Sequence, residues 1–188
     1  IDASGMAVAP GFINMLSWSN ESLLFDGRSQ SEIRQGVTLE VMGEGESMGP
    51  LNAVMKANLL EQQADIKYTI EWTTLGEYLT YLERMGVSCN VASFVGAATI
   101  RAHELGNANR APTTAELERM QSLVSQAMEE GAMGVASALI YAPGVFAKTD
   151  ELVALCRAAA PYGGRYISHL RSEGNRLEES LDEFLTIA

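Results

Sequence analysis

Histidine, cysteine and tryptophan each occur only twice among the 188 residues. Cys89 and Cys156 stand too far apart to form a Cys-x-x-Cys pair, so the sequence indicates neither a disulfide framework nor a structural zinc knuckle. Their sparse use favours a reducing compartment, the cytoplasm. His103 and His169 limit any imidazole-based metal site within the chain to two histidine ligands. Positive charge is also short: 13 Lys+Arg against 24 Asp+Glu give a formal charge of −11, with no run of five basic residues. A phosphate backbone or an anionic bilayer would be repelled, so neither nucleic acid nor membrane is an expected partner. No uninterrupted run approaches the roughly 18 apolar residues a membrane span needs, and no basic segment leads into an apolar one as in a signal peptide. There is no internal repeat and no Gly-Lys-Ser/Thr phosphate loop.

What is present is a folding composition, 47% hydrophobic and 20% charged, sized for one domain over residues 1–188. Apolar runs at 7–16, 36–42, 87–95, 134–140 and 165–171 read as strands, the first two as buried ones. Between them lie helical patterns. Ser29 with Glu32 forms a capping-box signature, and so does Thr113 with Glu116, which opens the clearest amphipathic stripe, Leu117, Met120, Val124 and Ala127. Leu75, Tyr78, Leu79 and Leu82 share one helical face closed by Gly86. Thr149-Asp150-Glu151 places a cap and two acids at a further helix start, and the tail from Leu177 is helical. Residues 44–65 are the one long connection without a clear strand. Strands alternating with helices imply a parallel sheet with outer helices, an α/β fold. At about 30 residues per unit the chain supplies about the first five strand-helix units of a (β/α)8 TIM barrel. An open doubly wound sheet is the alternative, which would normally carry a Gly-x-Gly-x-x-Gly turn that is missing after Gly11. Ile1 in place of an initiator Met, and an ending inside a helical pattern, lead to the expectation of a piece of a longer polypeptide.

In a parallel barrel, chemistry sits at the C-terminal strand ends. Period-two alternation puts His169 and Arg171 on one side of the last strand, with Glu173 just beyond. Arg171 suits a carboxylate by two-point hydrogen bonding, or a structural ion pair. Met42-Gly43-Glu44-Gly45-Glu46 follows the second strand; its carboxylates suit a cation or proton transfer, and a solvated turn is the plain alternative. Tyr141, after the fourth strand, offers a hydroxyl, and Ser17 and Trp18 could roof the barrel mouth.

Several segments, in order, resemble the N-acyl-D-amino-acid deacylase (D-aminoacylase) family of the amidohydrolase superfamily. They are Ala9-Pro10-Gly11-Phe12-Ile13-Asn14, Arg110-Ala111-Pro112-Thr113, Glu130-Gly131-Ala132-Met133-Gly134, Leu139-Ile140-Tyr141-Ala142-Pro143-Gly144, Thr149-Asp150-Glu151-Leu152 and Tyr166-Ile167-Ser168-His169-Leu170-Arg171-Ser172-Glu173. The resemblance implies a TIM barrel beside a small β-domain, with residues 1–7 as its exit. It implies His169 as a zinc ligand, with Arg171 and Tyr141 lining a substrate pocket. The chain departs from the family at Leu16 and Trp18, where a His-x-His metal pair is expected, at Gly45, where a ligating cysteine is expected, and at Ala97, where a histidine is frequent. The remaining family ligands would fall beyond Ala188.

Two functions follow. The first is an amidohydrolase cleaving the amide of N-acyl amino acids, D-configured by the resemblance, in an oligomer or a monomer. It would use one zinc held by His169 and Glu46, proton transfer by Glu44, and substrate contacts from Arg171, Tyr141 and Glu173. The second is a degenerate, non-catalytic barrel that binds a small carboxylate ligand or a partner.

Overall fold

The computed structural model describes residues 2–188. Its strands are β1 (Phe12–Asn14), β2 (Val37–Met42), β3 (Asn90–Ser93), β4 (Val95–Gly96), β5 (Gly134–Ala138) and β6 (Arg165–His169). The helices are α1 (Ser22–Phe25), α2 (Gln30–Ile33), α3 (Ala53–Gln62), α4 (Leu75–Met85), α5 (Ala97–Leu105), α6 (Thr114–Glu129), α7 (Thr149–Ala159) and α8 (Leu177–Ile187). All strand pairs are parallel and follow chain order, β1-β2-β3 in one sheet and β4-β5-β6 in another. The order never reverses, as right-handed β-α-β crossovers require.

The single third strand expected at 87–95 is divided at Phe94. Its first part pairs with β2 and its second with β5, while backbone bonds from Phe94 N–H to the Met42 carbonyl (2.9 Å) and Met133 N–H to the Ser93 carbonyl (2.9 Å) bridge the division. Side-chain alternation then sorts two faces. Met42, Val95, Val135 and Leu139 face the helices and join Met120, Val124, Leu152 and Leu155 in the main core. Val41, Phe94 and Ala136, with Leu39, Met133 and Ile167, form a smaller cluster on the inner face.

The strongest helices are those with complete caps. Thr74 and Glu77 close a capping box on α4, as Thr113 and Glu116 do on α6, each satisfying backbone N–H groups that a helix start leaves unpaired. Trp72, buried before α4, packs among Tyr68, Tyr78 and Tyr81 and donates its indole N–H to the Met48 carbonyl at 2.6 Å.

Three expectations are corrected, and one helix is added. The first strand is not buried: Phe12 and Ile13 are 61% and 55% exposed, because only β2 flanks it among the described residues. The connection 44–65 holds no strand, as expected, and contains α3, whose apolar residues follow no single face and which buries none of its residues; its N-cap Asn52, accepting from Met55 N–H, was the available signal. Ser29 does not cap α2. It adopts φ +43° and donates its hydroxyl to the buried Glu40 carboxylate instead. Thr149 does not cap α7: the N-cap position is Lys148, without a side-chain cap bond, and Thr149 is the first helical residue, its hydroxyl donated to Glu183; Asp150 and Glu151 stand in the first turn as expected, Glu151 buried against Arg101 at 2.5 Å.

Candidate functional site

The parallel strands send their C-terminal ends to one rim, where loops rather than ladders decide what is presented. On β6, His169 pairs in register with Ala138 and shares the inner face with Ile167. Its Nε2 lies 3.3 Å from Oε1 of Glu173. The Tyr141 ring, from the loop after β5, stands edge-on to the imidazole with centroids 5.7 Å apart and planes at 75°.

The loop after β2 reaches the same place. Gly43 and Gly45, at φ +96° and +71°, take conformations that side-chain-bearing residues rarely adopt and end the strand alternation. Four hydrogen bonds pin this loop to the start of α5: Ala98 N–H to the Gly45 carbonyl (2.9 Å), Ser47 N–H to Thr99 Oγ1 (2.8 Å), Thr99 Oγ1 to the Ser47 carbonyl (3.3 Å) and Gly96 N–H to Ser47 Oγ (3.0 Å). Glu44 is thereby half-buried within electrostatic reach of both His169 and Glu173. Loss of water pushes its carboxyl up, the His169 charge opposes this, and the Glu173 charge adds to it. Glu46, an exposed residue, instead lines a separate cleft of about 290 Å³ with Trp18, Asn20, Glu21, Met48 and Ile66. The structure therefore gathers Glu44, Tyr141, His169 and Glu173 and sets Glu46 apart.

Arg171 sits differently from the expectation of a shared strand face. β6 ends at His169, so alternation does not extend to Arg171. Its guanidinium grips both oxygens of Glu183 on α8, Nε to Oε2 at 2.8 Å and Nη2 to Oε1 at 2.9 Å. It also donates to the carbonyls of Val145 (3.1 Å) and Ala147 (2.9 Å). Arg171 holds the Glu183 carboxyl below its ordinary range, a shift that burial opposes and Thr149 reinforces. Glu183 was not singled out by the sequence, since twelve residues and a helix start separate it from Arg171 and no periodic signal links the two.

The residues do not complete a metal site. Among the described residues no three His, Cys, Asp or Glu side chains converge to hold an ion. Leu16 and Trp18 offer hydrocarbon and indole, and both are at least half exposed. A Cβ at Gly45 would stand 2.6 Å from the Ala138 Cβ, so a thiol-bearing residue does not fit there without a backbone shift. Two clefts of about 540 and 550 Å³ lie beside α4 and Glu130, apart from the rim residues. Among the described residues no helix is long and apolar enough to cross a membrane.

No family model matches the chain. Individual proteins do. It is 33% identical over 191 residues to a D-aminoacylase of Alcaligenes xylosoxydans xylosoxydans, a match covering all of this chain and 39% of that protein. The crystal structure of N-acyl-D-glutamate deacylase from Bordetella bronchiseptica, complexed with zinc and a phosphonate mimic of the tetrahedral intermediate, superposes with a TM-score of 0.85 at 31% identity. It covers 99% of this chain and 39% of that one. A D-aminoacylase structure described by its binuclear metal centre, with one-metal activation and second-metal attenuation, superposes at 0.81 with 30% identity, covering 95% and 38%. The chain thus spans about two fifths of the length of the relatives it matches. Sequence similarity along its whole length and a parallel α/β fold shared with these amidohydrolase structures agree: the chain is similar throughout to a corresponding part of the N-acyl-D-amino-acid deacylases (D-aminoacylases).

Proposed function

We propose that this chain forms the first part of a (β/α)8 barrel, with residues 1–7 leaving a small β-domain, in an enzyme that hydrolyses the amide bond of N-acyl amino acids of D configuration. The observation that carries the reading is the convergence of Glu44, Tyr141, His169 and Glu173 on one rim of the parallel strands. A carboxyl raised by burial is suited to proton transfer nearer neutral pH than an ordinary glutamate, so Glu44 takes the acid–base role. His169, fixed on a strand with a Glu173 oxygen 3.3 Å from its Nε2, is a polar anchor beside it. Tyr141 presents a ring and a hydroxyl to whatever stands over the imidazole. Of the expected zinc ligands, His169 stands in this group and Glu46 faces the other cleft, so no step is assigned to a metal here.

Parent protein, Glu44→Gln and His169→Ala should be compared, in the polypeptide that carries this chain, for hydrolysis of N-acetyl-D-amino acids and for bound metal. Loss of turnover in both variants is expected, on the order of 100-fold or more for Glu44→Gln. Parent-level turnover in both would end the reading. The second reading, a barrel that binds a carboxylate ligand without chemistry, is favoured by Leu16, Trp18 and the closed space at Gly45. Substrate binding without hydrolysis by the parent would establish it.

A further inference from the structure

We infer that Arg171 and Glu183 are a positioning pair that holds the segment after β5 so that Tyr141 stands edge-on to His169. The inference rests on the proposed function for the importance of Tyr141 and His169, and on geometry alone for the pair itself. β6 ends at His169, whose carbonyl accepts the Leu139 N–H at 3.0 Å; beyond that bond the loop from Tyr141 to Ala147 contains only one short 3-10 turn, Gly144–Phe146. Arg171 joins them. Its Nη1 and Nη2 hold the Val145 and Ala147 carbonyls, while Nε and Nη2 are held by Glu183. Glu183 in turn accepts the Thr149 hydroxyl at 2.8 Å, so a single carboxylate joins α8 to the first residue of α7. A planar guanidinium held on one edge by two carboxylate oxygens has its remaining N–H groups directed, which a flexible ammonium cannot reproduce. The aim of those N–H groups sets the loop, and the loop carries Tyr141. An alternative role for Arg171, direct contact with a substrate carboxylate, would require the guanidinium to leave Glu183.

The two histidines make this testable without turnover. Carbon-bound ring protons of His169 and His103 can be followed by NMR at one fixed pH for all variants, with His103 on α5 as the internal reference. Glu183→Gln and Arg171→Lys should each move the His169 signals toward their position in Tyr141→Leu, leave His103 in place, and cause no further movement when combined with Tyr141→Leu. Thr149→Val, which loosens the same carboxylate more gently, should move His169 in the same direction by less, and it serves if Glu183→Gln does not fold. Arg176→Gln, in the neighbouring exposed pair with Glu179, should move nothing. Unmoved His169 signals in folded Glu183→Gln and Arg171→Lys, or equal movement in the Tyr141→Leu background, would overturn the positioning role. In the active polypeptide, Glu183→Gln should impair hydrolysis as Arg171→Lys does. A lowered KM in Glu183→Gln would mean that Arg171, once released, binds substrate itself, and would overturn it as well. Absence of any hydrolysis by the parent would count against the proposed function while leaving the NMR comparison intact.

Discussion

Glu151→Leu is expected to be among the most damaging single substitutions in the chain. Arg101 has no exposed surface, and its charge is met by Glu151 at 2.5 Å and by the carbonyls of Ala108 and Arg110. Two atoms, Arg101 Nε and Glu151 Oε1, are already buried without a protein partner, so the pair has little spare solvation to fall back on. Removing the carboxylate leaves a guanidinium in an apolar interior with two neutral acceptors, a loss of about 3–5 kcal/mol. Removing both partners, Arg101→Met with Glu151→Leu, takes the charge away and leaves two unpaired carbonyls at about 1 kcal/mol each, so the double variant should lose roughly 2 kcal/mol. Urea unfolding followed by circular dichroism separates the cases. With a slope of about 2 kcal/mol per molar, the single variant's midpoint should fall by roughly 2 M and the double variant's by about half as much. A single variant within about 1 kcal/mol of the parent, or a double variant less stable than the single, would refute the charge-burial argument.

Other expectations follow from neighbouring features. Burial pushes the Glu40 carboxyl up, but hydrogen bonds from Cys89, Ser29, Ser17 and Ser19 outweigh it and hold the pKa below its ordinary 4.5. Because the folded value is the lower one, Glu40 stabilises fully above the unfolded value and loses that contribution as pH falls through the folded one; Glu40→Gln should flatten the acid limb of a stability–pH curve and lower stability at neutral pH. Gly45→Ala should cost about 2–4 kcal/mol, from its φ of +71° and the crowding against Ala138, and lower the thermal midpoint by roughly 5–15 °C; an unchanged midpoint would count against the loop geometry. Exposed Phe12 and Ile13 on β1, Leu16 and Trp18 in the segment after it, and Leu177, Leu181 and Leu185 spaced every four residues on α8, should make the 188-residue polypeptide associate. Sedimentation should show mass rising with concentration, and a compact monomer with a cooperative thermal transition would contradict this.

Parallel pairing in chain order was legible because strand and helix periods alternate cleanly, and Thr113 with Glu116 was legible because a capping box is local. Helix α3 was hidden, since it buries no residue and so writes no stripe. Ser29 and Thr149 misled for a shared reason: each satisfies a local capping rule, yet tertiary carboxylates, Glu40 eleven residues away and Glu183 thirty-four away, took the hydroxyl in place of a helix end. His169 was placed correctly by alternation on its strand, whereas Arg171, two residues on, lay past the strand end where alternation no longer applies. The position of Glu44 depends on two positive-φ glycines, which the sequence marks as permissive without saying which way the chain turns.

The pinned loop between Gly43 and Ser47 separates scaffold from cargo. Its path is set by positive-φ glycines and by bonds through the Gly45 carbonyl and the backbone and hydroxyl of Ser47, none of which involves the side chains of Glu44 or Glu46. Mutation can therefore change the chemistry displayed at positions 44 and 46 without renegotiating the backbone, while the position between them tolerates no side chain. Such a loop lets a lineage exchange one reactive group for another on an unchanged frame, and it marks 44 and 46 as the positions at which to graft new side chains by design.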